Sequence, residues 1–140
     1  MSAEPTHHHA HVVWQGGRED LRAHAVRLGE QVVGGSAASE LGGDPAKADP
    51  EEMFVASLSS CHMLWFLDHA RRRRLRVSAY EDEAVGEMDG TRFTRVVLRP
   101  HIEWQGDAPP AAVVEALHHD AHDACFIANS VTCPVEVAPT

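Results

Sequence analysis

The stretch "DPEEMFVASLSSCHMLWFLDHARRRR", residues 49–74, constrains this chain more than any other. Asp49 suits a helix N-cap and Pro50 the first helical position, while Glu52 stands three residues after the cap, where its carboxylate can bond back. Glu51 and Glu52 also suit the positive end of the helix dipole, and Arg71–Arg74 with Arg76 the negative end. From Met53 to Leu67 apolar residues occur all round: Phe54, Val55, Leu58, Met63, Leu64, Trp65 and Phe66. A helix apolar on every face is buried on every face. At 1.5 Å per residue this one is about 37 Å long. One 140-residue chain can hardly surround it. A second copy of the chain is expected to cover one side.

Length predicts a single domain over residues 1–140, large enough to bury a core without staples. Hydrophobic residues make up 44% and charged residues 24%, the balance of an ordinary globular protein. The formal charge of −9 disfavours nucleic acid or an anionic membrane as the main partner. "MSAEPTHHHAHVVW" does not read as a secretory leader. His62, Asp68 and His69 interrupt the one long apolar run, which excludes it as a bilayer span. These features set a cytoplasmic expectation. Three cysteines, an odd number, argue against a structural disulfide framework in a reducing compartment. No flavin, haem or nicotinamide motif is visible, and no cofactor is expected.

Strand formers occupy residues 9–15, and a second strand is read in 23–29. Residues 31–50 start as a short strand and become a Gly/Ala/Pro loop. After the helix, "LRVSAYEDEAVGEM" predicts one long strand, "MDG" at 88–90 a turn, and "TRFTRVVLRPHIEWQ" a returning strand. Pro100 puts that strand at an edge or a bulge. A second helix is expected over 108–125, a helical stub at "FIANS" and a last strand in "VTCPVEVAP". The order β-β-β-α-β-β-α-β defines an α+β fold with antiparallel pairing.

Cys61 lies in the first helix and Cys125 at the end of the second. Neither belongs to a C-x-x-C motif, which excludes thioredoxin-type chemistry. Taken alone, a helical cysteine is more often a small buried hydrophobe than a nucleophile. Cys61 is too deep in its helix to gain from the dipole, so a reactive thiolate there requires a nearby cation. Arg18, Arg22 and Arg27 precede the helix. His118, His122 and Cys125 are spaced i, i+4, i+7 on one helix face, and His119 could replace His118. Three ligands from one helix seldom close a zinc shell, although His7, His8, His9 and His11 could complete it. No metal is expected. His62 points about 100° away from Cys61 on a helix, which suits packing better than base catalysis. Cys133, before Pro134, reads as a core or strand residue.

Together, "GD…DPEEMFVASLSSCH", "AYEDEAVG" and "AHDACFIANSVTCPVEV" resemble the osmotically inducible protein C / organic hydroperoxide resistance (OsmC/Ohr) family, from about residue 10 onward. "SSCHMLWFL" and "CFIANSV", with Phe126 where the best-known peroxidases carry proline, resemble a less-studied branch. The resemblance implies antiparallel sheets wrapped around two central helices in an intertwined homodimer. It implies a thiol peroxidase acting on organic hydroperoxides in oxidative-stress defence and reopened by an external thiol, of dithiol or lipoyl type. It implies that Cys61 is the peroxidatic cysteine, that Cys125 resolves it as a disulfide, and that Glu51 and an N-terminal arginine assist. Arg18 fits that arginine best by its position after the first strand, and Arg22 is the fallback. The competing class is a non-catalytic module of this fold, either a small-molecule binder or a His/Cys metal-binding protein.

Overall fold

Asp49 and Glu52 close a reciprocal capping box. The Glu52 N–H donates to Asp49 Oδ1 at 2.7 Å, and the Asp49 N–H donates to Glu52 Oε1 at 3.0 Å. The computed structural model describes residues 4–140. The box opens α1 (Pro50–Arg72), as the sequence predicts. The chain divides into two compact units, one ending at Met53 and the other running Phe54–Thr140.

In the first unit, β1 (His11–Trp14), β2 (His24–Leu28) and β3 (Gln31–Gly35) form an antiparallel meander. Its register sets Val26 opposite both Val12 and Val33. Gly29, at φ 63°, turns the β2–β3 hairpin, a conformation that a β-carbon would strain. A 3-10 turn follows at Ser39–Leu41. Ala48 then pairs with the end of β3, donating its N–H to the Gly34 carbonyl and accepting from the Ser36 N–H.

The second unit holds the rest of α1 and every later element. The helix stops where Arg74 takes φ 58° and the Leu75 N–H returns to the Ala70 carbonyl at 2.9 Å, a left-handed cap with an arginine in the usual glycine place. The two long strands expected after it are four: β4 (Val77–Asp82), β5 (Val85–Asp89), β6 (Arg92–Leu98) and β7 (Pro100–Trp104). β4 pairs with β7, and β5 with β6, both antiparallel. The split has one local cause and one distant in sequence. Pro100 offers no N–H to a ladder, and the Arg99 N–H is taken by the Asp82 carboxylate at 2.6 Å. The second helix, α2 (Ala111–Ala124), starts after Pro109 and Pro110, not at 108, and leaves Cys125 at its C-cap. A 3-10 turn at Ala128–Ser130 matches the expected stub. The last strand, β8 (Val135–Val137), lies parallel to β6, the one departure from antiparallel pairing among the described strands.

Two apolar clusters form the interior of the second unit. Phe66, Ala70, Leu117 and Ala121 join α1 to α2, with Tyr80, Ile102 and Trp104 from the β4–β7 pair packed on them. Leu58, Val96 and Leu98 join α1 to the β5-β6-β8 sheet, with Phe93, Ile127 and Cys133 alongside. Gly86 lets β5 approach closely, because a β-carbon there would lie 2.6 Å from Val55 Cγ2. Leu58, His62, Phe66 and Ala70, spaced four apart, are the buried stripe of α1. Leu64, on the same helix, is 62% exposed, so one chain leaves part of this all-apolar helix uncovered. No helix among the described residues is long and apolar enough to cross a membrane.

Candidate functional site

Cys61 sits midway along α1, half-buried. Cys125 sits at the C-cap of α2, almost fully enclosed. Both are free thiols, and Cys61 lies close enough to act on the Cys125 thiol. The sequence names these two residues, and the fold of the second unit brings them together. The turn after α2 holds Cys125 by the backbone, since the Ala128 N–H donates to Cys125 Sγ at 3.4 Å. Burial above all, and then the contact with Cys61, push the Cys125 thiol up to about 11. At neutral pH it therefore keeps its proton.

One residue beyond Cys61, His62 is buried on the inner stripe of α1. Its Nε2 meets His118 Nδ1 at 3.0 Å, and the rings lie nearly parallel, 6° apart. The Phe66 ring lies 4.5 Å from the His118 ring. Burial pulls both imidazoles down to about 4, and the neighbouring imidazoles add to the effect on His62. A neutral pair shares one proton across that contact, with one ring donating and the other accepting. The outward nitrogens, His62 Nδ1 and His118 Nε2, are buried without a partner. The sequence reading gave His62 a packing role and missed its partner. The available signal was its place on the i+4 stripe Leu58–His62–Phe66–Ala70, where a polar residue requires a polar neighbour.

In the first unit, Arg22 and Glu51 line one pocket of about 260 Å³ with His24, Ser36 and Leu41. Asp20 shapes the approach, taking the N–H of Arg22 at 2.9 Å and of Ala23 at 3.2 Å. Arg22 is steadied by its Nε–H, which donates to the Leu41 carbonyl at 2.8 Å. Glu51 Oε2 is buried without a partner. Arg18 lies exposed in the turn after β1 and does not line that pocket.

His118, His119 and His122 line a different pocket, of about 610 Å³, with Val135 and Val137. His118 spends its Nδ1 on His62, and His119 leans on Asp123 at 3.2 Å. Among the described residues, no group of three or more His, Cys, Asp or Glu side chains gathers as a metal would need. Cys133 is half-buried in the loop before β8, packed on the Leu58 cluster.

The family model of OsmC-like proteins matches residues 42–140. Among solved structures, an OsmC-like protein of unknown function from Vibrio cholerae is 35% identical, at a TM-score of 0.87, over 97% of this chain and 100% of its own. An organic hydroperoxide resistance protein from Legionella pneumophila is 20% identical, at a TM-score of 0.69, over 96% of this chain and 97% of its own. One from Elizabethkingia anophelis is also 20% identical, at a TM-score of 0.69, over 98% and 97%. At that identity these two share the fold. A comparison with curated proteins finds no match. With two helices, antiparallel sheets and a family match covering most of its length, this chain belongs to the OsmC-like family.

Proposed function

We propose that this protein is a cysteine-based peroxidase that reduces organic hydroperoxides to alcohols in oxidative-stress defence, working in the cytoplasm as one OsmC-like domain over residues 1–140. The contact between the free thiols of Cys61 and Cys125 carries this reading. The organic hydroperoxide resistance proteins that share the fold support it.

The thiolate of Cys61 attacks the outer oxygen of the hydroperoxide. The O–O bond breaks, Cys61 becomes a sulfenic acid, and the inner oxygen leaves as an alkoxide that takes a proton to give the alcohol. Cys125 then gives up its proton and attacks the Cys61 sulfur as a thiolate. The S–O bond breaks, a disulfide forms, and the Cys125 proton leaves with the hydroxyl as water. Burial raises the Cys125 pKa, so its proton must be given up during this step, and the departing hydroxyl takes it. An external thiol, of dithiol or lipoyl type, reopens the disulfide by exchange.

An arginine holds Cys61 as thiolate and steadies the leaving oxygen. Arg22 takes this role in preference to Arg18, since Arg22 shares a pocket wall with Glu51, and Glu51 orients it. The protein works as a homodimer in which one copy supplies Glu51 and the arginine to the cysteines of the other. Val12 and Trp14, 60% and 58% exposed, and Leu64 support a partner surface. Peroxide consumption with a dithiol reductant tests the reading. Wild type should turn over an alkyl hydroperoxide and Cys61→Ser should not, and equal rates for the two would end the proposal.

A further inference from the structure

The His62–His118 contact lies between the two apolar clusters of the second unit. On the α1 stripe, Leu58 belongs to one cluster, Phe66 to the other, and His62 stands between them. His62 is 1% exposed and His118 5%. Each leaves one buried nitrogen unpaired, and an unpaired buried nitrogen is a net cost to folding. Two apolar side chains of similar size would fill the same space without that cost. Filling this space does not by itself call for a histidine pair.

What it provides is direction. Apolar contacts between helices tolerate small slides and rotations, whereas a hydrogen bond weakens steeply when misaligned. This one joins α1 just beyond Cys61 to α2 two turns before Cys125. Disulfide closure has narrow geometric limits. A slow closure exposes the Cys61 sulfenic acid to a second hydroperoxide, which carries it to sulfinic acid and loses the enzyme.

We propose that His62 and His118 are a positioning pair that fixes α2 on α1, so that the Cys125 thiol reaches the Cys61 sulfur before further oxidation does. This rests on the peroxidase reading above for its biological purpose, but the geometry can be tested without peroxide. Cys61 is loaded with an aromatic thiol as a mixed disulfide, and closure by Cys125 is followed as release of the coloured thiol. Peptide mapping confirms the bonded pair, in a Cys133→Ala background. The variants are a double His62→Leu, His118→Leu and a double His62→Gln, His118→Asn. Gln keeps a polar atom near the Nε2 position of His62, and Asn keeps one near the Nδ1 position of His118.

The expected result is closure at least tenfold slower in the leucine pair, with an unchanged or higher melting temperature, and substantial recovery in the Gln/Asn pair. With hydroperoxide, the leucine pair should form sulfenic acid within about threefold of the wild-type rate and accumulate several times more sulfinic acid. Wild-type closure in the leucine pair would overturn the proposal. So would equal slowing in both double variants in step with equal losses of melting temperature, since that pattern marks a merely structural role. A wild type that closes normally yet ignores hydroperoxides would instead defeat the peroxidase reading and leave the positioning role supported by the closure rates.

Discussion

The carboxylate of Asp82 accepts the backbone N–H of Arg99 at 2.6 Å, where β6 hands over to β7 and the two ladders part. Its second oxygen accepts from Ser59 Oγ on α1 at 2.5 Å. One side chain thus terminates two strand pairings and ties the break to the helix that carries Cys61. Asp82→Ala should cost about 2 kcal/mol, the scale of a hydrogen bond to a charged group plus an orphaned backbone donor. Urea unfolding of the variant checks this. An unchanged midpoint would mean that water replaces the carboxylate without loss.

Oxidation should link Cys61 to Cys125. One equivalent of alkyl hydroperoxide should give that disulfide by peptide mapping, and Cys125→Ser should instead leave a Cys61 sulfenic acid open to trapping. A Cys125–Cys133 bridge would move the resolving role elsewhere.

Arg22 and Arg18 should behave differently. Arg22→Ala should lower kcat/KM by about 100-fold, the scale of removing a charge-stabilising donor from a reacting centre. Arg18→Ala should stay within about twofold of wild type. The reverse ranking would return the role to Arg18 and strip the Arg22–Glu51 pocket of its meaning.

Much of this was legible in the sequence, and the misses have physical causes. The start of α1 was legible because its capping chemistry is local: Asp49, Pro50 and Glu52 stand within one turn. The breaks at Glu83–Ala84 and Arg99 were only half legible. Pro100 announced an irregularity, but the partner of the Arg99 N–H lies far upstream at Asp82, and no short-range pattern encodes it. The parallel pairing of β8 was not legible either, because three alternating residues carry no orientation signal. In the candidate site, the family pattern picked out both cysteines. It left Arg18 and Arg22 as alternatives, because the Asp20 turn that sets Arg22 in one pocket with Glu51 depends on loop geometry, not spacing. His118 was invisible as a partner of His62 because their meeting depends on how two helices pack.

Acid should destabilise the fold through the two buried imidazoles. Their folded pKa values, about 4, lie below the ordinary value of 6.5, so between these limits the unfolded chain binds more protons than the folded one. Stability is therefore full above about pH 6.5 and falls as pH drops toward 4. Denaturant midpoints across that window should decline in wild type, and less steeply in the double leucine variant. Parallel curves would show that other groups govern the acid response.

Glu51 and Cys61 should complement each other across chains. Glu51→Ala and Cys61→Ser, each inactive alone, should regain part of the activity when co-refolded, because a heterodimer would hold one intact site. A purified heterodimer as inactive as its parents, or a chain that sediments as a stable monomer, would overturn the shared site.

The α1 stripe has a consequence for how the second unit opens. Leu58 anchors one cluster and Phe66 with Ala70 the other, so both sets of packing hang on one helix. The helix cannot fray through its middle without loosening both. Amides around Cys61 should therefore exchange with solvent deuterium only when the whole unit opens, at rates set by global stability. The candidate nucleophile is mounted on the helix that both clusters share, so a motion that admits a substrate is expected from the surrounding loops or from a partner chain.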